Sequence, residues 1–510
     1  MGKKAKKTQN KKNNTKKENQ KEINKKENII QTKKNEITEE KITTVKPQKD
    51  KKEKIKNLIT FIIYAILLLL VASHHELWRD EAQSWLIAKN LGYIKIISQL
   101  KYEAHPFVWY YILRTFSIFN LKYEHITIIP VILNLITTYI LLNKSKFNRI
   151  TNIIIVFSSS FFFYCGVLTR SYSVAYLLVT LLSIIYKDRH EKPIQYGLLL
   201  FLIMNTHILL LGFIGGLVLV DIYEYIKTKE NKKQIITSII SFLLGTGMII
   251  LQFCQTINST GKGIHFEYLK NVFSQMKQLF MPAINSDFLY IITIIAIITY
   301  IIHLINQKEF KNLIILSCSL LFQILFATMV YNSINAASLV YVTLLFSLMQ
   351  SEKITKYVNT ITIIIFGLTL YGTWTLADND YKYLFSDSKN VAKYIEKNIE
   401  SGSKIYCELL DYCAAVNAHL PDGAYHFIDY NTDKEYTYTE YGDYYKILYN
   451  QAIYKKEGYL TEKTMDYFIS IVSNKEVLEY HNKHEDYELI YETEEPVMFS
   501  KERYLVYKHK

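Results

Sequence analysis

Cysteine is scarce in this chain: five in 510 residues, with no spacing that matches a zinc site. Cys165, Cys254 and Cys318 fall in or beside apolar runs, where a thiol behaves as a small core residue. Cys407 and Cys413 stand near the C-terminus and read as free thiols, a disulfide being the alternative if that segment is extracytoplasmic. No cleavable leader is expected, because the first apolar stretch starts near residue 57, too deep for an n-region. The chain is basic, at a formal +13, but no stacking or groove-reading element accompanies its lysines. Nucleic acid is therefore not the expected partner. A P-loop is missing too, since "STGKGIHFEYL" (259–269) lacks its spacing.

Half of the residues are hydrophobic, and the mean hydropathy of +0.04 averages three unlike regions. Residues 1–56 are mostly Lys, Asn, Glu, Gln and Thr, too polar to bury a core. They read as a disordered cytoplasmic arm drawn to anionic membrane lipid. Residues 57–377 carry apolar runs separated by short charged loops, and residues 378–510 are polar and Tyr-rich. Spans are expected at 57–73, 125–142, 150–166, 171–186, 194–207, 208–226, 235–253, 287–305, 312–331, 334–350 and 357–377. Treating 105–119 as interfacial puts "NKSKFNR", "YKDRHEK", "KTKENKK", "NQKEFK" and "SEKITK" on one side, every one basic. The positive-inside rule makes that side, and the N-terminus, cytoplasmic. The expected fold is thus an all-α polytopic membrane protein of about eleven spans plus juxtamembrane helices. An extracytoplasmic α/β domain follows, with a helix in "SDSKNVAKYIEKNI", strands in "KIYCEL" and "AYHFI", and paired late strands in "YELIYET" and "RYLVYKH".

The first apolar run opens into "HHELWRDEAQSWLIAKN" (74–90). Charge beside hydrocarbon is costly unless something uses it. Asp80 has two readings: a general base or metal ligand, or the N-cap of a helix 81–90 in a capping-box-like pair with Gln83. Glu81 either raises its neighbour's pKa or serves as a first-turn acid favoured by the helix dipole. His105 reads as a phosphate or sugar contact, or as a cap for the helix opening at Pro106; Gly92 reads as a C′ stop. Arg170, in "LTRSY", is a phosphate clamp or the ion partner of Asp80 or Glu81. Tyr172 beside it reads as an interface anchor, and His207 as a site residue or a satisfied interfacial histidine. Lys262 and His265, near Gly261 and Gly263, form an ordinary loop or a mobile lid.

"WRDEAQSWLIA" (78–88), "HPFVWYY" (105–111) and "GVLTRSYSVAYLL" (166–178), in that order, resemble the GT-C membrane glycosyltransferases of the protein-mannosyltransferase and aminoarabinose-transferase type, the family 39 pattern. The resemblance covers about residues 57–380. Phe107 replaces the usual second proline, and "NSINAASLVYV" (332–342) lacks the late Arg-Tyr-Pro-like element. The resemblance implies transfer of a sugar from a polyprenyl-phosphate carrier to a surface glycan, lipid or protein. Asp80 and Glu81 would be catalytic; Arg79, His105, Arg170, Tyr172, His207, Lys262 and His265 would face the substrates. The cofactor is open, a divalent metal being one option. A flippase of lipid-linked sugars is the runner-up, but no internal repeat is evident and the polar residues gather at one face. A scaffold acting through head and tail would leave the acidic corner unexplained.

Overall fold

The computed structural model describes residues 51–103, 105–253, 266–281, 284, 286–330, 338–430, 432–440, 464–471, 486–494, 497–498 and 502–510. The expected disorder of the lysine arm falls almost wholly outside them, as do Cys254, Lys262 and His265. Two compact units result, Met1–Ile62 and Ile63–Lys510. In the first, the described residues are the opening turns of the apolar helix Lys51–Ala72.

The second unit is mostly helical. Runs of Ile, Leu and Phe cannot leave backbone amides unpaired in hydrocarbon, so they close their hydrogen bonds within each helix. Among the described residues, seven helices are long and apolar enough to cross a membrane, or eight if the bent pair Arg149–Phe157 and Ser159–Gly166 counts as one span. They carry outward-facing Leu243, Leu251, Ile298 and Leu321, as a lipid-facing surface requires. This is the architecture of a membrane protein. Two expected spans are shorter than the sequence suggests, Tyr172–Ile185 and Pro193–Met204 having 14 and 12 residues; of the expected 334–350, the part from Ser338 to Gln350 is described, a helix of 13. At about 1.5 Å per residue such helices cover roughly 20 Å of a core near 30 Å thick. The stretch 105–119 forms a helix of 12 residues, Phe107–Ile118.

Small and polar residues hold the bundle together. Gly212 and Gly216 lie one helical turn apart on Leu211–Thr228 and face Phe310–Met329. A Cβ at Gly212 would meet Phe322 and sit 2.8 Å from the Cys318 carbonyl; one at Gly216 would lie 2.9 Å from the Ile315 Cα. Backbone approach this close is what a small-xxx-small stripe permits. Nearby, the Tyr300 hydroxyl bonds Ser347 and Ser351, each at 3.1 Å, across two other helices' contact. An ion cluster ties the far end of Tyr172–Ile185: Arg189 reaches Asp221 at 3.3 Å and Glu224 at 2.5 Å, and Lys311 also meets Glu224.

The C-terminal segment carries a small five-stranded sheet in the order β2-β1-β3-β5-β4. The strands are β1 Lys404–Cys407, β2 His426–Asp429, β3 Tyr467–Ile471, β4 Tyr487–Glu492 and β5 Tyr504–His509. Parallel β1 and β2 are joined through the helix Leu410–His419, the crossover a parallel pair needs. The late strands β4 and β5 pair antiparallel, as their alternation implies. Helix Ser388–Asn398 buries Val391, Ala392 and Ile395 against this sheet's core. Cys407 and Cys413 are both buried and free.

The glycine contact yields a direct expectation. Gly212→Val should lower stability by about 1–3 kcal/mol, the usual cost of overpacking, because a backbone carbonyl blocks the new side chain. Gly215→Ala, with nothing within 4 Å of its Cβ position, should leave it unchanged or slightly raised. Thermal unfolding of both variants in detergent checks the pair.

Candidate functional site

The helix after the first apolar run begins earlier than the capping motif implies. Arg79–Asn90 is helical, Trp78 is its N-cap residue, and Glu81 at the third position accepts the Trp78 N–H at 3.2 Å. Asp80 is therefore inside the first turn and is not the cap. Gln83 is not its partner either: the Gln83 amide accepts from the Thr439 N–H and donates to the Thr439 carbonyl, at 2.9 and 2.7 Å. Gly92 is extended and starts the next helix, Tyr93–Gln99, instead of closing the first in a left-handed turn.

Glu81 turns inward and is fully buried. Its Oε1 accepts the Thr169 N–H at 2.5 Å, and its Oε2 lies 3.5 Å from His75 Nε2. The other nitrogen of that ring, Nδ1, reaches both Asp380 oxygens at 3.2 and 3.3 Å. Burial alone would lower the imidazole's pKa, but the Asp380 and Glu81 carboxylates outweigh it and push it up to about 10. His75 is thus an imidazolium held between two acids.

Asp80 points the opposite way, with 33% of its side chain exposed. Arg170 Nη1 is 3.4 Å from Asp80 Oδ2 and donates to the Asp80 carbonyl at 3.0 Å. Arg170 Nη2 donates to His105 Nε2 at 2.8 Å. A guanidinium can only donate, so Nε2 accepts and the ring proton sits on Nδ1. The residue at the cap position of the following helix is Pro106. The His207 ring packs edge-on to His105 at 5.5 Å and beside Tyr172 at 6.0 Å. Burial, with Arg170 adding to it, pushes His207 down to about 3. Tyr172 is buried here and not at an open interface. Asp80, Arg170, His105, Tyr172 and His207 thus come together from four separated segments.

The C-terminal segment completes the corner. Arg79 Nη1 donates to Asp411 at 2.8 Å, and its guanidinium lies 4.5 Å over the Tyr412 ring. Buried Glu502 accepts the Arg79 backbone N–H at 2.9 Å and the Ser386 hydroxyl. Burial pushes the Glu502 carboxyl up to about 8 even though Arg79 pulls it down. Lys89 pairs with Asp422, and Glu76 accepts the Phe385 N–H at 2.9 Å. Sequence reasoning missed His75, Asp380, Asp411 and Glu502. For His75 a signal existed, two imidazoles closing an apolar run; for the other three, folding alone brings them in.

Chemically the corner offers one outward carboxylate, one buried guanidinium against it and a histidine whose acceptor nitrogen is occupied. Such a set can take a proton from a hydroxyl and balance a developing anion. Asp80 is flanked by guanidinium groups, a poor setting for a divalent cation, and no group of three or more His, Cys, Asp or Glu fit to hold a metal occurs among the described residues. No protein-family model matches the chain, and no curated protein matches it significantly.

Two stability measurements follow. Glu81→Ala should cost about 3–5 kcal/mol, because it strips two amides of their acceptor and a buried imidazolium of one counter-charge, whereas Asp80→Ala, which leaves Arg170 its bonds to the residue-80 carbonyl and to His105, should cost less. Glu502 is the second case. A carboxyl with a folded pKa raised to about 8 contributes a stability term present at acid pH and lost as pH rises from its unfolded value through 8. Relative to Glu502→Gln, the native chain should therefore lose melting temperature between about pH 5 and 8. Parallel curves across that window would contradict the assignment.

Proposed function

We propose that this chain is a GT-C-type membrane glycosyltransferase that moves a sugar from a polyprenyl-phosphate carrier to an acceptor at the outer face of the membrane. The observation that carries the reading is the Asp80–Arg170–His105 set, at 3.4 and 2.8 Å, lying where the first apolar helix ends. A hydroxyl nucleophile needs a base at the reacting carbon, and Asp80 is the carboxylate of the corner that reaches solvent. As the bond to the carrier breaks, negative charge collects on the leaving phosphate. Arg170, with Arg79 one residue from Asp80, supplies fixed positive charge against it. His105 holds the Arg170 guanidinium at a set angle, and His207 packs between the His105 and Tyr172 rings. Glu81 faces away from solvent, so its part is to hold the turn carrying Arg170.

In this reading the three short helices complete an eleven-span bundle, thinned where the site sits. The lysine arm and the basic loops are cytoplasmic, the C-terminal segment is extracytoplasmic, and the acceptor is a surface glycan, lipid or protein. The basic loops on one side support that orientation. A reporter cysteine at Ser401 should react with an impermeant thiol reagent on intact cells, and one at Lys229 should not; the reverse pattern would invert the topology.

Asp80→Asn isolates the chemistry. It keeps the shape of the side chain and touches no cap, so unfolding in detergent should stay near that of the native chain. Transfer from a polyprenyl-phosphate sugar should fall by about two to four orders of magnitude, the scale of an acid–base group. Full transfer in this variant would remove Asp80 from catalysis.

A further inference from the structure

We propose that His75 and Asp380 form a charged strut that positions Glu81 and, through Thr169, sets Arg170 against Asp80. The inference rests on the reading above, in which Asp80 and Arg170 are the reacting pair. His75 closes the first apolar helix, Asp380 lies in the last turns of Lys356–Lys382, and Glu81 belongs to the helix Arg79–Asn90. One imidazole thus bridges three segments far apart in sequence, and the side chains of all three residues are shut off from solvent.

The ring has little freedom. Phe385 packs edge-on to it at 4.5 Å, Nδ1 faces Asp380 and Nε2 faces Glu81. The charged groups that face it are Asp380 and Glu81 from the packed helices and Glu76 from its own segment. Two buried carboxylates this near each other repel unless a cation stands between them. With His75 neutral, Glu81 loses that cation and its hold on the Thr169 N–H at 2.5 Å loosens. Arg170 is the next residue, and its guanidinium meets Asp80 and His105 from that turn. The strut therefore touches no substrate; it acts on the pair that does.

Four full-length proteins in detergent decide the matter: the native chain, His75→Gln, Asp380→Asn and the double variant. Each is followed by unfolding and by transfer between pH 6 and 10.5. A histidine with a raised folded pKa contributes stability that is complete below its unfolded value and lost as pH rises through the folded one. The native chain should hold transfer until near pH 10, while the His75 contribution to its stability falls away progressively between about pH 6.5 and 10. Asp380→Asn removes one opposing charge within contact, worth about 1–3 pH units, so both alkaline limbs should move down by at least about one unit. His75→Gln should lower transfer about tenfold or more at every pH, with no further loss in the double variant, since the two residues act as one.

A role in packing alone would make Asp380→Asn lower transfer equally at all pH values, with no shift of its alkaline limb, and would add in the double variant; either result overturns the strut. Should Asp380→Asn fail to fold, the 15N signals of the native His75 ring serve instead. A doubly protonated ring at pH 8 supports the proposal, and a neutral one ends it. The two readings also separate. Shifted unfolding limbs in a chain that never transfers sugar keep the strut's charge pairing and discard the glycosyltransferase, whereas transfer with unshifted limbs does the opposite.

Discussion

Burying the carboxylate of Glu81 is the constraint around which the rest of this corner is arranged. An ion without water costs several kcal/mol unless donors and an opposite charge replace its hydration. Here the donors are two backbone amides, of Trp78 and Thr169, and the opposite charge is His75. Each of these belongs to a different segment. Satisfying one side chain therefore fixes the end of the first apolar helix, the start of the next and the turn before Tyr172–Ile185. His75 in turn needs Asp380, which draws in the last long apolar helix.

Once Glu81 is held, its neighbour has to face outward. Adjacent helical positions diverge, so an inward Glu81 puts Asp80 at the surface beside Arg79 and Arg170. Inward acid for position and outward acid for chemistry is a division of labour set by helix geometry. The C-terminal segment is part of the same arrangement. Asp411, Tyr412 and Glu502 hold Arg79, and Thr439 holds Gln83, so the sheet and the membrane helices share one compact unit. A tail that looks separable by composition is braced against the functional corner.

Much of the framework was legible in the residues. Apolar length located the long apolar helices but not Tyr93–Gln99 or Val272–Phe280, and alternation in "YELIYET" and "RYLVYKH" marked a pair of strands that do lie side by side. The nearness of Arg170 to Asp80 followed from the cost of an unpaired guanidinium at a membrane edge. What failed did so for local reasons. A helix starting two residues earlier moved the N-cap position from Asp80 to Trp78, with Glu81 bonding back to it, and periodicity does not fix a boundary that finely. Span length misled at 171–186 and 194–207, where the helices stop at Ile185 and Met204 and the chain goes on into the buried turns at Tyr186 and Asn205–His207. Asp380, Asp411 and Glu502 carried no signal, because their partners lie hundreds of residues away and nothing local announces them.

The central claim is that this corner transfers sugar at the cell surface. It is tested most directly by mass spectrometry of surface glycans, glycolipids and glycoproteins from cells lacking the chain, complemented either by the native sequence or by Asp80→Asn at equal membrane abundance. The account expects one saccharide-bearing species to vanish on deletion, to return with the native chain and to stay missing with the variant. Identical surface saccharides in all three strains would contradict it.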